Sequence, residues 1–247
     1  YTHRYHDETV KRRAAGPLGR ALGVNPAVLT TPVDDWVAFD TPPVDEELPA
    51  EMNNVICVAV EMDYDMFRTS PSKVEWAATT HAYAKMKYIV MHLAQFINGL
   101  GYRAWPFGSG GPVLSIPVAV DAGMGELGRN GLLITPEYGP RVRLCGVITD
   151  MPVAQDKPID MGVWKFCQTC EKCAKECPGG ALQLGEPTSH KKFRTTAAGV
   201  LKWPVDGEAC NNYWGTEGTV CGNCVSKCPY NKAGGAFHRV AQTLAPT

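Results

Sequence analysis

The chain has 247 residues, enough for a sizeable core in one large domain or two smaller ones. Its net charge of −1 offers no general attraction to nucleic acid or to an anionic membrane surface. No apolar run approaches the roughly 18 residues of a membrane span, and the basic opening YTHRYHDETVKRRAAGPLGRALG lacks the apolar segment of an export signal. A mature chain would no longer carry such a signal, so a cleaved one is compatible with this start.

In chain order, residues 1–50 are rich in Pro, Gly and Asp and read as an irregular segment wrapped over a core. MNNVICVAVEMD is β-branched and apolar, and reads as a buried strand. SPSKVEWAATTHAYAKMKYIVMHLAQFINGLG reads as a strong helix. It opens with Ser72 and Glu75 at capping-box spacing and stops at Asn98–Gly99. Tyr83, Met86, Val90, Leu93 and Ile97 fall on one face of it. GYRAWPF follows as a short strand, GSGGPVLSIPVAVDAGMGELGRNGLLITPEYG as a loop-rich stretch, and PRVRLCGVITD as a clear strand. Strand, helix and strand in that order indicate α/β layers. Cys57 and Cys145 lie in strand-like apolar runs and read as small core residues.

From about Lys157 the texture changes. A boundary near 155–160 divides the chain into a 1–50 wrap, a 51–156 α/β part and a 157–247 cysteine-rich part. Eight of the ten cysteines lie between 167 and 228, too tightly spaced for a disulfide framework and suited to thiolate ligation. Cys167, Cys170, Cys173 and Cys177 form C-x2-C-x2-C-x3-C-P, the bacterial ferredoxin spacing for [4Fe–4S] clusters. Cys210, Cys221, Cys224 and Cys228 repeat it with a widened first gap. Cysteines two residues apart can wrap one cubane, while the fourth, before proline, leaves the loop for the neighbouring cluster. Cys167, Cys170, Cys173 and Cys228 are thus assigned to one cluster, and Cys210, Cys221, Cys224 and Cys177 to the other. Zinc is the competing ligand for C-x2-C pairs, and eight cysteines with two Cys-Pro ends argue against it.

Some 150 residues precede the clusters, and they contain no P-loop, no G-x-G-x-x-G after a strand and no H-E-x-x-H. Nor do they contain D-x-H-x-x-G, a run that supplies histidine to cobalt. The six histidines show no ligand spacing.

The stretch SIPVAVDAGMGELGRNGLLITPEYGPRVRLCGVITDMP, taken with FCQTCEKCAKECP and CGNCVSKCPYNK, resembles the reductive dehalogenase family. The resemblance runs from about residue 50 to 240. It implies a nitroreductase-like, corrinoid-binding α/β core with a C-terminal, bacterial ferredoxin-like domain for two [4Fe–4S] clusters. It further implies base-off cobalamin with no histidine ligand, an organohalide substrate, and an external electron donor (ferredoxin, flavodoxin or a membrane quinol chain), with a membrane-anchor subunit as a further partner. Residues 51–156 would hold corrinoid and substrate. Respiratory members are longer at the N-terminus and carry a twin-arginine signal, which this sequence does not show. A cleaved signal would place the protein at the periplasmic face of the inner membrane, and its absence in the cytoplasm.

The resemblance also implies roles. The family's proton-donating tyrosine matches Tyr83, with Tyr88 as fallback, and its basic partner matches Arg143, two residues from Arg141. A cation beside a phenol stabilises the phenolate left after proton delivery. Where the family carries a polar residue, often Asn, this chain has Ser109 and Gly110, which suggests a roomier pocket. Trp36, Trp105, Phe107 and Ser109 are pocket candidates. Gly123, Gly125, Gly128, Arg129, Asn130 and Gly131 are the expected corrinoid contacts, since glycines allow close backbone approach to a large flat ligand. Two competing readings are an epoxyqueuosine reductase-like corrinoid enzyme and a non-catalytic ferredoxin-type electron carrier. The first normally carries a C-terminal helical repeat and a basic face for tRNA, and the second needs no corrinoid.

Overall fold

The computed structural model describes residues 49–108 and 113–233, which belong to one compact unit. The expected N-terminal wrap, Trp36, Ser109 and Gly110 lie outside the described residues.

Three antiparallel strands form the main sheet in the order β1-β5-β2: β1 is Asn54–Glu61, β2 is Ala104–Phe107 and β5 is Val142–Thr149. Val58 pairs with Cys145 and Val60 with Arg143 on one side, while Trp105 pairs with Ile148 and Phe107 with Gly146 on the other. The central strand is covered on both faces, so Cys145 to Thr149 are all buried. Its side chains alternate: Cys145 and Val147 join one core cluster, and Ile148 joins a second with Met52 and Phe107. Cys57, expected in the core, is only half-buried.

The first cluster forms against the long helix. A short α1, Tyr64–Phe67, leads into α2, Lys73–Gly99. Ser72 caps α2, its hydroxyl accepting from the Glu75 N–H at 3.1 Å. Only half of the expected capping box forms, because the Glu75 carboxylate is buried in the interior. Met86, Val90 and Ile97 are buried, and Tyr83 and Leu93 pack beside them, so the face read from the helical period is the core face. The chain turns away at Gly101, whose φ of 91° suits glycine.

The stretch read as loop-rich carries more structure than expected. Ser115–Asp121 is a helix, α3, with Pro117 tolerated in its first turn, and Glu126–Leu127 (β3) pairs with Leu133–Ile134 (β4) as a small hairpin. Seven residues interrupted by proline give too little periodicity to read as a helix.

The cysteine-rich part is built from short helices: α4 Val163–Thr169, α5 Lys172–Lys175, α6 Gly207–Glu217 and α7 Asn223–Ser226. Asp206 caps α6 by accepting from the N–H groups of Glu208 and Ala209, and Gly218 ends it at φ 65°. Bridges Leu182–Val205 and Thr188–Lys202 tie down the intervening segment. Among the described residues no helix is long and apolar enough to cross a membrane.

Candidate active site and cluster centres

Tyr83 and Arg143 come together although they are far apart in sequence. α2 presents Tyr83 toward the sheet, and β5 presents Arg143 from the same face as Cys145 and Val147. The Arg143 guanidinium carbon lies 4.8 Å from the Tyr83 ring centroid, close enough for the cation to act on the ring. Both side chains are half-buried, and the buried Nε of Arg143 has no hydrogen-bond partner among the described residues. An unpartnered buried donor is costly, and its presence beside a phenol marks a place where a polar ligand group is wanted. The fallback Tyr88 is 68% exposed and stacks on His92 at 4.1 Å between centroids, turned away from this site.

Arg141, two residues earlier, is a different object. It is buried and donates to Asn231 Oδ1 at 3.0 Å, to Glu61 at 2.6 Å and to the Met62 carbonyl. Its donors are engaged by protein.

A residue the sequence did not flag joins this region. Glu75, 2% exposed, lies against Ser70 and Gly222 and feels the charge of Arg143. Burial pushes its carboxyl above the ordinary range, and one of its oxygens, Oε2, has no partner among the described residues. At N3 after a serine cap it reads as a capping residue, so no local signal points inward. The segment it touches is the second cysteine run, which is further tied to the start of α2 by Gly222 N–H to Ser70 Oγ at 2.8 Å and Thr219 Oγ1 to the Ser72 carbonyl at 3.1 Å.

The cysteines divide into two groups in space. Cys167, Cys170, Cys173 and Cys228, here the first set, line one cavity with Arg129 and Tyr230. Cys177, Cys210, Cys221 and Cys224, the second set, act electrostatically on one another. Burial pushes the thiols of Cys173 and Cys228 up to about 12 and about 11, and that of Cys210 up to about 11. The sets touch, since Cys224 and Cys177 both pack against the buried group containing Cys173. Four sulfurs around a cavity fit a polynuclear cluster, which needs thiolates spread over its corners. Among the described residues no three His, Cys, Asp or Glu side chains gather around a single-ion position.

The residues expected to meet the corrinoid have protein partners of their own. Arg129, 1% exposed, donates to the carbonyls of Cys167 (3.0 and 2.9 Å), Gln183 (2.9 Å), Gly185 (3.0 Å) and Gln168 (3.3 Å), and lies 4.5 Å from the Trp203 ring. Asn130 donates to the Cys224 carbonyl at 3.2 Å. These side chains clamp the front part to the cluster part. The glycines likewise face protein. A Cβ on Gly123 would sit 2.4 Å from the Lys157 carbonyl oxygen, on Gly125 2.1 Å from that of Ile134, on Gly128 2.8 Å from Asn130 Oδ1, and on Gly131 2.9 Å from Val205. Phe107 and Trp105 belong to the core cluster with Ile148, on the sheet face opposite Tyr83, and are core rather than pocket wall for that site. Trp105 Nε1 is buried and has no partner among the described residues.

Known proteins resemble this chain over both its front and its cysteine-rich parts. Residues 40–153 match the reductive dehalogenase subunit family, and residues 166–231 match the 4Fe-4S double cluster binding domain. A tetrachloroethene reductive dehalogenase of Sulfurospirillum multivorans is 43% identical over 190 residues, 76% of this chain and 38% of that protein. One from Desulfitobacterium hafniense is 40% identical over 193 residues, 76% of this chain and 35% of that protein. A solved structure described as a reductive dehalogenase that suggests a mechanism for B12-dependent dehalogenation superposes with a TM-score of 0.68 at 27% identity, covering 77% of this chain and 27% of that one. The chain thus spans well under half the length of these relatives.

Proposed function

The chain belongs to the reductive dehalogenase family, and from that premise we propose that it carries out reductive removal of halide from an organohalide, with electrons passing through two [4Fe–4S] clusters to a corrinoid. Residues 51–156, a nitroreductase-like core, hold corrinoid and substrate, and residues 157–247 hold the clusters. An external ferredoxin, flavodoxin or quinol chain supplies the electrons. The observation that carries this reading is the Arg143 cation 4.8 Å from the Tyr83 ring, on the side of the sheet where Glu75 meets the second cysteine run.

The cysteine sets fit two cubanes, the first set holding one and the second set the other. The glycine run keeps its backbone close to protein on the Cβ side, and the unpartnered Nε of Arg143 suits a polar ligand group beside Tyr83. When bound, the corrinoid supplies the electrons that break the carbon–halogen bond. Tyr83 holds a proton on Oη for delivery to the carbon. Arg143, across the ring, stabilises the phenolate that remains. α2 and β5 keep the pair half-buried, which limits water and strengthens the charge interaction.

Tyr83→Phe tests the assignment on anaerobically reconstituted protein. The expected result is a loss of halide release of about 100-fold or more, with iron content and the visible corrinoid band unchanged. Full activity in that variant would remove Tyr83 from the reaction. A parent chain with full iron content but no corrinoid band would favour the electron-carrier reading.

A further inference from the structure

Arg129 is a buried cation that the proposed chemistry leaves unused. Arg129 lines the cavity of the first cysteine set, and its guanidinium hydrogen-bonds the carbonyl of Cys167, a member of that set. The acceptors it reaches are backbone carbonyls, which carry no formal charge. Its ion-pair partner, Glu171, stands off at 3.9 Å. Glu126 also acts on Cys167, but its carboxylate is engaged by the N–H groups of Met161, Val163 and Trp164 around the start of α4. The second set lies in a different field. The charged side chain acting on Cys210 outside the cysteines is Asp206, and that acting on Cys221 is Glu75.

A cluster that accepts an electron becomes more negative. A buried cation beside it stabilises the reduced form, and an acid beside it opposes reduction, because the interior screens charge poorly. We propose that Arg129 is a positioning residue that makes the cluster held by Cys167, Cys170, Cys173 and Cys228 the easier of the two to reduce. A first electron then rests there, and the second set, beside Asp206 and Glu75, receives it only when the acceptor draws it on. This rests on the chain binding two clusters and not on the dehalogenation reading.

The test is a redox titration, followed by electron paramagnetic resonance, of the full chain reconstituted anaerobically to eight irons, four for each cluster of the double-cluster motif. The parent should show two separate midpoints. In Arg129→Gln the higher midpoint should fall toward the lower, with the lower one unmoved. Arg129→Lys, which keeps the charge but loses the fork, should retain the separation. Unmoved midpoints in Arg129→Gln, or a shift confined to the lower one, would overturn the proposal. Should Arg129→Gln fail to take up iron, the ordering is read from the half-reduced parent against Cys170→Ser. The half-reduced signal should change in that variant, and an unchanged signal would place the electron on the second set and overturn the proposal. Failure of the two-cluster reading would show separately, as a parent iron content short of eight.

Discussion

Arg141 and Arg143 stand two residues apart and do opposite work. Arg141 joins the edge of β1 to the chain beyond Cys228 through Glu61, Met62 and Asn231. Replacing it with Met leaves those acceptors without their donor. The expected cost is about 1–3 kcal/mol, since a buried acceptor keeps its desolvation penalty when its partner goes. Anaerobic guanidinium unfolding of Arg141→Met would show it as a lower midpoint. Arg143→Met should lower that midpoint less than Arg141→Met does, since Arg143 leaves no set of buried acceptors without a donor, while halide release falls with that of Tyr83→Phe. The motif PRVRL cannot separate the two residues, because both are arginines on one strand. Family likeness pointed to Arg143, and the physical reason lies in what each meets across the fold.

At the scale of elements, the long helix and the strands were legible because their signals are local: β-branched runs, a serine cap, a helical stripe of apolar residues. The partners of the glycine run were not legible because they are distant in sequence, Lys157 and Val205 among them. Glycine announces that something comes close, and it does not say what. Gly139 shows how far such a contact reaches. It sits at φ 57°, and a Cβ there would lie 2.3 Å from the Tyr230 carbonyl oxygen, two residues beyond Cys228. Gly139→Ala should therefore cost more than the ~1–2 kcal/mol of a left-handed alanine and displace the Cys228 turn. Iron content per chain should drop well below the parent's, and parent-like iron content with unchanged thermal stability would contradict the contact.

For the molecule as a whole, the two parts separated by texture near residue 157 are bound into one unit. Arg129 and Asn130 reach from the front into both cysteine runs, and Ser70 and Ser72 hold the second run to α2. α4, α5 and α7 are seven, four and four residues long, too short to persist without tertiary support. Removing the clusters should raise amide exchange across 163–182 and 207–228 while β1 and β5 stay protected, as followed by hydrogen–deuterium exchange. Protection that survives cluster removal would mean that the protein scaffold alone holds these segments. The sets also exchange members: Cys228 belongs with Cys167, Cys170 and Cys173, and Cys177 with Cys210, Cys221 and Cys224. Each run therefore closes the other's site, and a chain that has gathered one cluster has already folded most of the second cage. Maturation should be all-or-none, so native mass spectrometry of sub-stoichiometrically loaded protein should find empty and fully loaded chains with few half-filled ones between them.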